Sequence, residues 1–191
     1  LEFFSNIEEI VEFPAWDCLP YDRISPKKDI IATRIDTLTR LADRNTSKSV
    51  IVLTTVAALL QRVPPRDFFR DSTITVNPAG ENSRDSLIAF LLENGYLRSE
   101  VVMEPGEYAV RGGIVDLFPP GVDEPVRMDF FGDELDSIRK FDPFSQRSGV
   151  KLVGDVAIKP CDELFINENT ISLFRKSYRA LFGVNSKQDI L

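Results

Sequence analysis

Residues 107–119 read EYAVRGGIVDLFP, and residues 125–134 read PVRMDFFGDE. Side chains of a β-strand alternate between its two faces, so the second stretch divides into two sets. One set forms an ordinary apolar core face and consists of Val126, Met128 and Phe130. The opposite set consists of Arg127, Asp129 and Phe131. This strand therefore carries a large aromatic ring and charges on the side that should face solvent.

This unusual face has two interpretations. An exposed Phe131 beside Arg127 has the composition of a protein-binding hot spot. Alternatively, another segment of the same chain covers the face. Because neither side chain belongs to the core face, we expect the fold to survive replacement of either one by alanine.

The overall composition is typical of a globular chain with one large domain or two small ones. Of the 191 residues, 43% are hydrophobic, and 23 basic and 30 acidic residues give a net charge of -7. An acidic balance disfavours unaided binding to nucleic acid or to an anionic membrane. No apolar run approaches the roughly 20 residues that span a bilayer. The chain begins at Leu1 and not at Met, so we expect it to be a segment of a longer protein.

Few residues are available for catalysis or cofactor binding. The chain contains no histidine, which excludes Ser-His-Asp and Cys-His sites and histidine-ligated metals. Cys18 and Cys161 form no CxxC unit, so we expect neither a metal site nor a disulfide, as in a reducing cytoplasm. No glycine-rich phosphate loop is visible. Acidic residues are plentiful but form no recognisable pair, and we predict no catalytic, cofactor-binding or metal-binding residue.

The first 72 residues have the pattern of an α/β segment. A strand is predicted at residues 7–13, and apolar residues at helical spacing predict a helix from Asp29. The continuous apolar run at residues 49–53 is typical of a strand buried on both faces in a parallel sheet. Thr54 or Thr55 then caps a helix that Pro64-Pro65 ends.

The middle segment, residues 73–158, has a different pattern. Asn82 or Ser83 caps a helix that Gly95 ends, and its predicted apolar stripe is Leu87, Ile88, Leu91 and Leu92. Strands are predicted at about residues 72–76, 101–103, 107–118, 125–131, 134–141 and 150–158. Short connections rich in Gly, Pro and Asp are typical of antiparallel neighbours. We therefore predict an α+β module, an antiparallel meander with one helix on its buried face.

The excess acidic charge lies in this middle segment, which has 8 basic and 15 acidic residues, while the remainder has 15 of each. Arg111 and Arg127 are therefore cations in an acidic module. Guanidinium groups pair readily with carboxylates, which here belong either to neighbours in this chain or to a partner. The sequence leaves both possibilities open.

A third piece begins after Pro160. Asn169 is predicted to cap a helix that ends at Gly183, with an inward stripe of Ile171, Phe174, Tyr178 and Leu181. About thirty residues cannot bury a core alone, so we expect this helix to pack on the first segment or on sequence outside this chain.

Several blocks of the sequence closely resemble the N-terminal part of the bacterial transcription-repair coupling factors, the Mfd family, which is related to UvrB. The blocks are WDCLPYDRISP, LTTVAALLQRV, GEYAVRGGIVDLFPPG, PVRMDFFGDELDSIRKFD and SQRS. The resemblance implies α/β plus α+β architecture: a partial, degenerate UvrB-like α/β domain with an inserted antiparallel-meander UvrA-binding domain. The implied divisions are residues 1–72, residues 73–158, and residues 159–191, the last packing back on the first.

The resemblance also implies a binding site. The family's contacts with UvrA include one arginine and, in a second block, an arginine and a phenylalanine, which correspond to Arg111, Arg127 and Phe131. We add Asp129, which shares their strand face. The expected site is therefore a partner-binding one, and it coincides with the face that the alternation of residues 126–131 indicates.

The function implied is that of a non-catalytic docking region that binds UvrA and recruits nucleotide-excision repair to stalled RNA polymerase. In that family RNA polymerase and DNA are bound by domains outside this chain, and ATP and Mg²⁺ serve a translocase motor that is also outside it. A cytoplasmic location without membrane contact is expected. The face could also be masked in the full-length protein.

The alternative is a UvrB-type segment that binds nucleotide or damaged DNA. UvrB has a phosphate loop and a tyrosine-rich hairpin, and neither is seen here. The sequence YDRISP leads directly into the predicted helix, with no long aromatic hairpin inserted. The neutral first segment also disfavours this alternative.

Overall fold

The computed structural model describes residues 9–19, 22–43, 49–78, 80, 83–163 and 168–183. Its helices are Lys28–Asp43 (α1), Val56–Leu60 (α2), Arg66–Asp71 (α3), Arg84–Glu93 (α4) and Glu168–Phe182 (α5). Its strands are Glu9–Phe13 (β1), Val50–Thr54 (β2), Ile74–Val76 (β3), Leu97–Arg98 (β4), Glu107–Arg111 (β5), Ile114–Leu117 (β6), Val126–Phe131 (β7), Glu134–Phe141 (β8), Ser148–Lys151 (β9) and Val156–Ile158 (β10). The described residues form a mixture of helices and three sheets.

The first segment contains a two-stranded parallel sheet, β1 beside β2. Helix α1 packs beside this sheet and against α3, where Ile35, Ala42 and Phe69 form a small core. The expectation that residues 49–53 are buried on both faces is wrong, because Val52 and Leu53 are exposed. An apolar strand is buried on both faces only when layers cover both, and among the described residues β2 pairs with β1 alone.

Helix ends follow the predicted capping chemistry. The hydroxyl of Thr55 accepts a hydrogen bond from the backbone N–H of Ala58 and so caps α2. Ser83 caps α4 in the same way, whereas Asn82 lies outside the described residues. After α4 the chain turns at Gly95, whose φ of 82° is the left-handed conformation that glycine adopts without strain.

The largest sheet has six strands in the order β4-β5-β6-β7-β8-β9. The strands from β5 to β9 pair antiparallel with their chain neighbours, and β4 pairs parallel with β5. One face of this sheet packs against α4 through a core of thirteen buried side chains, which includes Leu87, Leu91, Val115, Met128 and Ile138. Of the predicted helix stripe, Leu92 is exposed instead.

Three predicted strands differ from the structure. Residues 101–103 form no strand, and their buried Val102 lies in a loop. Residues 107–118 are not one strand but a hairpin, because the chain reverses at Gly112 and Gly113 with a φ of 60° at Gly112. Residues 150–158 divide between β9, at the edge of the large sheet, and β10, which pairs with β3.

A buried ion pair joins the first segment to the chain after β10. Arg34 has both its Nε and its Nη2 on the carboxylate of Glu163, and neither side chain is appreciably exposed. The Trp16 indole N–H donates to the same carboxylate at 3.3 Å. Such a pair is costly to break because a lone buried charge would remain.

The last helix, α5, forms where the sequence predicts it, but its stripe is not buried. Phe174, Tyr178 and Leu181 are exposed, so no described residue buries the predicted stripe, and its packing on sequence outside this chain stays a prediction. The side chain of the predicted cap Asn169 lies outside the described residues. Helical periodicity creates an apolar stripe, but burial requires a second element to cover it. The boundaries of the three predicted divisions stay predictions.

Candidate partner-binding face

The candidate site lies on the face of the large sheet opposite α4, which we call the outer face. The predicted alternation of β7 is confirmed, because Val126, Met128 and Phe130 are buried in the core. On the outer face, Arg127 and Asp129 are half-buried and Phe131 is exposed. The outer face is therefore not uniformly open to solvent.

Phe131 is the most exposed part of this face, with 85% of its surface accessible. It is the last residue of β7 and lies opposite Glu134, across a tight turn at Gly132 whose φ is 63°. A ring in this position has no neighbours to remove it from water, so its burial by a partner would be favourable.

Arg127 is held inside the chain. Its Nε and Nη2 donate to the carboxylate of Asp116 at 2.7 and 2.9 Å, and its Nη1 donates to Ser148 and to the carbonyl of Gln146. The guanidinium lies 4.8 Å from the ring centroid of Phe141, and only 14% of the side chain is exposed. The bonds to Asp116 raise the pKa of Arg127 above its ordinary value. Replacing Arg127 therefore removes packing and hydrogen bonds, contrary to the expectation from the sequence.

Asp116 connects the two arginines. Its carboxylate is fully buried and also accepts a hydrogen bond from Nη2 of Arg111, which is 48% exposed. Of the two possibilities left open by the sequence, the structure places a carboxylate of this chain against both arginines. Strand pairing explains this, since Asp116 lies directly opposite Arg127 in the register of β6 and β7.

Sequence reasoning missed Asp116. The available signal is its position in the apolar run Ile114-Val115-Asp116-Leu117-Phe118. A carboxylate there is buried if the strand is buried, and a buried carboxylate needs cationic or hydrogen-bonding partners.

Asp129, the remaining predicted site residue, is engaged more loosely. Its carboxylate accepts a hydrogen bond of 3.1 Å from the hydroxyl of Ser137 on β8, directly across the strand pair. It lies on the outer face between Arg127 and Phe131, so the four predicted residues share one surface.

Two loops cover one end of the outer face. Val102 packs with Ala109, Phe118 and Phe141 in a small core separate from the main one. The side-chain amide of Gln146 donates to the carbonyl of Val102 at 3.2 Å, which joins the two loops. We call this region, with Asp116, Arg127 and Phe141 beneath it, the closed end.

The opposite region, which we call the open end, contains Arg111, Phe131 and the glycine turns that follow them. Gly113 allows the two hairpins to approach closely, since a Cβ there would overlap the carbonyl oxygen of Phe130. The backbone N–H of Phe130 donates to the carbonyl of Gly113 at 2.8 Å. The open end therefore presents an aromatic ring and a cation, each at the end of a strand, beside two closely packed turns.

The part of the chain that contains the six-stranded sheet is similar to a known protein domain. Residues 74–164 match the UvrB interaction domain. The matched range includes Arg111, Asp116, Arg127, Asp129 and Phe131, so every residue of the candidate face lies within the part of the chain that is similar to this domain.

The relatives are transcription-repair-coupling factors. The chain is 37% identical to that of Rickettsia prowazekii (strain Madrid E) over 96% of its length, and 39% identical to that of Escherichia coli (strain K12) over 92%. It is 35% identical to that of Mycobacterium tuberculosis (strain CDC 1551 / Oshkosh) over 85% of its length. The chain spans about a sixth of the length of the curated relatives it matches, 16% and 15% for the first two. The family resemblance read from the sequence is confirmed.

The described part of the chain was also compared with the requirements of metal sites, reactive thiols and membrane-spanning helices. Within it, no group of three or more Asp, Glu, Cys or His side chains is arranged to hold a metal ion. Burial raises the pKa of the Cys161 thiol well above its ordinary value, so that thiol stays protonated at neutral pH. None of the helices described there is long and apolar enough to cross a bilayer.

Proposed function

We propose that this chain is a non-catalytic docking region that binds UvrA through the outer face of its UvrB interaction domain. The contact residues are Arg111, Arg127, Asp129 and Phe131. As part of a transcription-repair coupling factor in the bacterial cytoplasm, the domain would recruit nucleotide-excision repair to stalled RNA polymerase. The ATP-dependent motor and the contacts with DNA and RNA polymerase belong to other parts of that protein.

The observation that carries the proposal is Phe131, an aromatic side chain that is 85% exposed within the matched domain. Hot spots of protein interfaces are enriched in aromatic residues and arginine, and a ring buried at the centre of an interface contributes several times more than the contacts around it. Arg111 supplies the cation, because half of its side chain remains exposed while one nitrogen is held by Asp116.

The face is suited to a partner that offers a carboxylate beside an apolar pocket. The N–H groups of Arg111 that point away from Asp116 can donate to such a carboxylate. Arg127 has little exposed surface left, so we expect Arg111 and Phe131 to provide the larger share of the binding free energy.

The proposal is tested by isothermal titration of the purified chain with UvrA. Phe131→Ala should weaken binding by about 2 kcal/mol or more, because the lost ring is the main apolar contact. Phe144→Ala is the matched control, since Phe144 is 86% exposed in the same domain but lies in the β8–β9 connection. It should bind UvrA as the unmodified chain does.

Thermal unfolding should be the same for both variants, since neither ring is buried. Equal affinities of the Phe131→Ala variant and the unmodified chain would show that the site is misplaced. Absence of any UvrA binding by the unmodified chain would contradict the proposed function itself.

A further inference from the structure

One buried carboxylate lies behind two of the proposed contact residues. Asp116 has no exposed side-chain surface, yet Arg127 donates two hydrogen bonds to it, at 2.7 and 2.9 Å, and Arg111 donates a third. Two cations and one anion leave a net charge of +1 on this cluster. The only member of the cluster with a large exposed part is Arg111.

The two arginines differ in what else holds them. Arg127 also contacts the Phe141 ring, Ser148 and the carbonyl of Gln146, so several contacts besides Asp116 hold its guanidinium in position. Among the residues that the structure describes, the side chain of Arg111 forms one hydrogen bond, which is that to Asp116. A long, half-exposed arginine with a single tether loses its orientation when that tether is removed, because its rotamer entropy is then no longer opposed.

Electrostatic repulsion acts in the same direction. Arg111 and Arg127 share one carboxylate, so without its charge two guanidinium groups would face each other at short range. The mobile member of the pair, Arg111, would then turn away toward solvent.

We propose that Asp116 is a positioning residue for partner binding: it orients the guanidinium of Arg111 toward the carboxylate of the partner without touching the partner itself. The inference rests on the proposed function and deepens it. Asp116, which has no exposed surface, would then influence the affinity for the partner through the exposed side chain of Arg111.

The test is a double-mutant cycle with UvrA, read by isothermal titration on the four chains: unmodified, Asp116→Asn, Arg111→Ala and the double variant. Asp116→Asn keeps the shape of the side chain and removes its charge. It should weaken binding about tenfold in the unmodified chain and by less than about threefold in the Arg111→Ala chain, because the residue to be positioned is then absent.

A purely structural role of Asp116 would give a different pattern, namely the same loss of affinity with and without Arg111. That result, or an Asp116→Asn chain that binds as tightly as the unmodified one, would overturn the inference. If the unmodified chain does not bind UvrA, both the proposed function and this inference are wrong. If it binds UvrA but the cycle shows no coupling between Asp116 and Arg111, only the inference is wrong.

A second pair of variants covers the case in which Asp116→Asn fails to fold. Arg127→Gln combined with Asp116→Asn replaces the buried ion pair by a neutral pair of similar shape, which is better tolerated than a lone charge. Compared with Arg127→Gln alone, this variant should bind UvrA at least about fivefold more weakly, because a neutral amide holds the Arg111 guanidinium less firmly than a carboxylate does. Equal affinities of the two chains would contradict the inference.

Discussion

The two ends of the outer face differ although one strand, β7, runs through both. At the closed end, Arg127 is sandwiched between Asp116 and Phe141 and only 14% of its side chain is exposed. At the open end, four residues later on the same side of the strand, Phe131 is 85% exposed. Alternation therefore assigns a side chain to a face, whereas neighbouring loops decide whether that part of the face is buried or exposed.

The largest effect is expected at the closed end. Arg127→Ala should lower the free energy of unfolding by about 2–4 kcal/mol, because Asp116 loses two hydrogen bonds inside the protein. Chemical denaturation followed by circular dichroism measures this change. Lys151 is an exposed cation on the edge strand β9, and Lys151→Ala is the control, which should stay within about 0.5 kcal/mol of the unmodified chain. Equal stability of the two variants would mean that the closed end is not held by this cluster.

A smaller effect is expected where the two hairpins meet at the open end. Gly113→Ala should cost about 1–3 kcal/mol of stability, because the new methyl group must push the carbonyl of Phe130 away. Since this movement displaces Phe131, binding to UvrA should weaken as well.

Gly149→Ala is the matched control for this change, because its methyl group would make an ordinary contact of 3.6 Å with the carbonyl oxygen of Lys140. Chemical denaturation measures the stability of both variants, and isothermal titration measures their affinity for UvrA. A Gly113→Ala chain with the stability and affinity of the Gly149→Ala chain would show that close packing of the turn does not position Phe131.

The smallest effect concerns pH and the loop that covers the closed end. Asp142 accepts hydrogen bonds from the backbone N–H groups of Ser145 and Phe144. The hydrogen bonds from Ser145, with a smaller contribution from Phe144, lower the pKa of the Asp142 carboxyl below the ordinary 3.8. A carboxyl whose pKa is depressed by folding stabilises the protein above the unfolded pKa, and this contribution is lost as pH falls through the folded value.

Stability should therefore decline below about pH 4, and Asp142→Asn should remove a small part of that decline. Denaturation midpoints between about pH 2.5 and 6 measure it. An identical pH profile in the Asp142→Asn chain would exclude a role for this turn in acid stability.

Much of the large sheet could be predicted from its sequence, because it depends on local patterns. The alternation of residues 126–131 and the caps at Thr55 and Ser83 involve neighbours in the chain, and the structure contains all three. The four candidate site residues could be placed on one face by the same alternation and by a family resemblance.

What could not be predicted depends on contacts between distant residues. The pairing of Asp116 with Arg127 requires the register of two strands, and the cover over the closed end requires Gln146 to meet Val102 across 44 residues of sequence. Burial of β2 was predicted wrongly for the same reason, and the described residues leave the stripe of α5 exposed. An apolar pattern shows that a surface favours burial but not which element covers it.

The proposal that the open end makes most of the contact with the partner, while the closed end mainly supports it, can be tested by amide hydrogen exchange of the chain with and without UvrA. We predict slower exchange on binding in peptides that cover the turns at residues 111–114 and 131–134. We predict little change at residues 142–148, which cover the closed end. Protection at residues 142–148 with none at residues 131–134 would show that the partner binds the closed end instead.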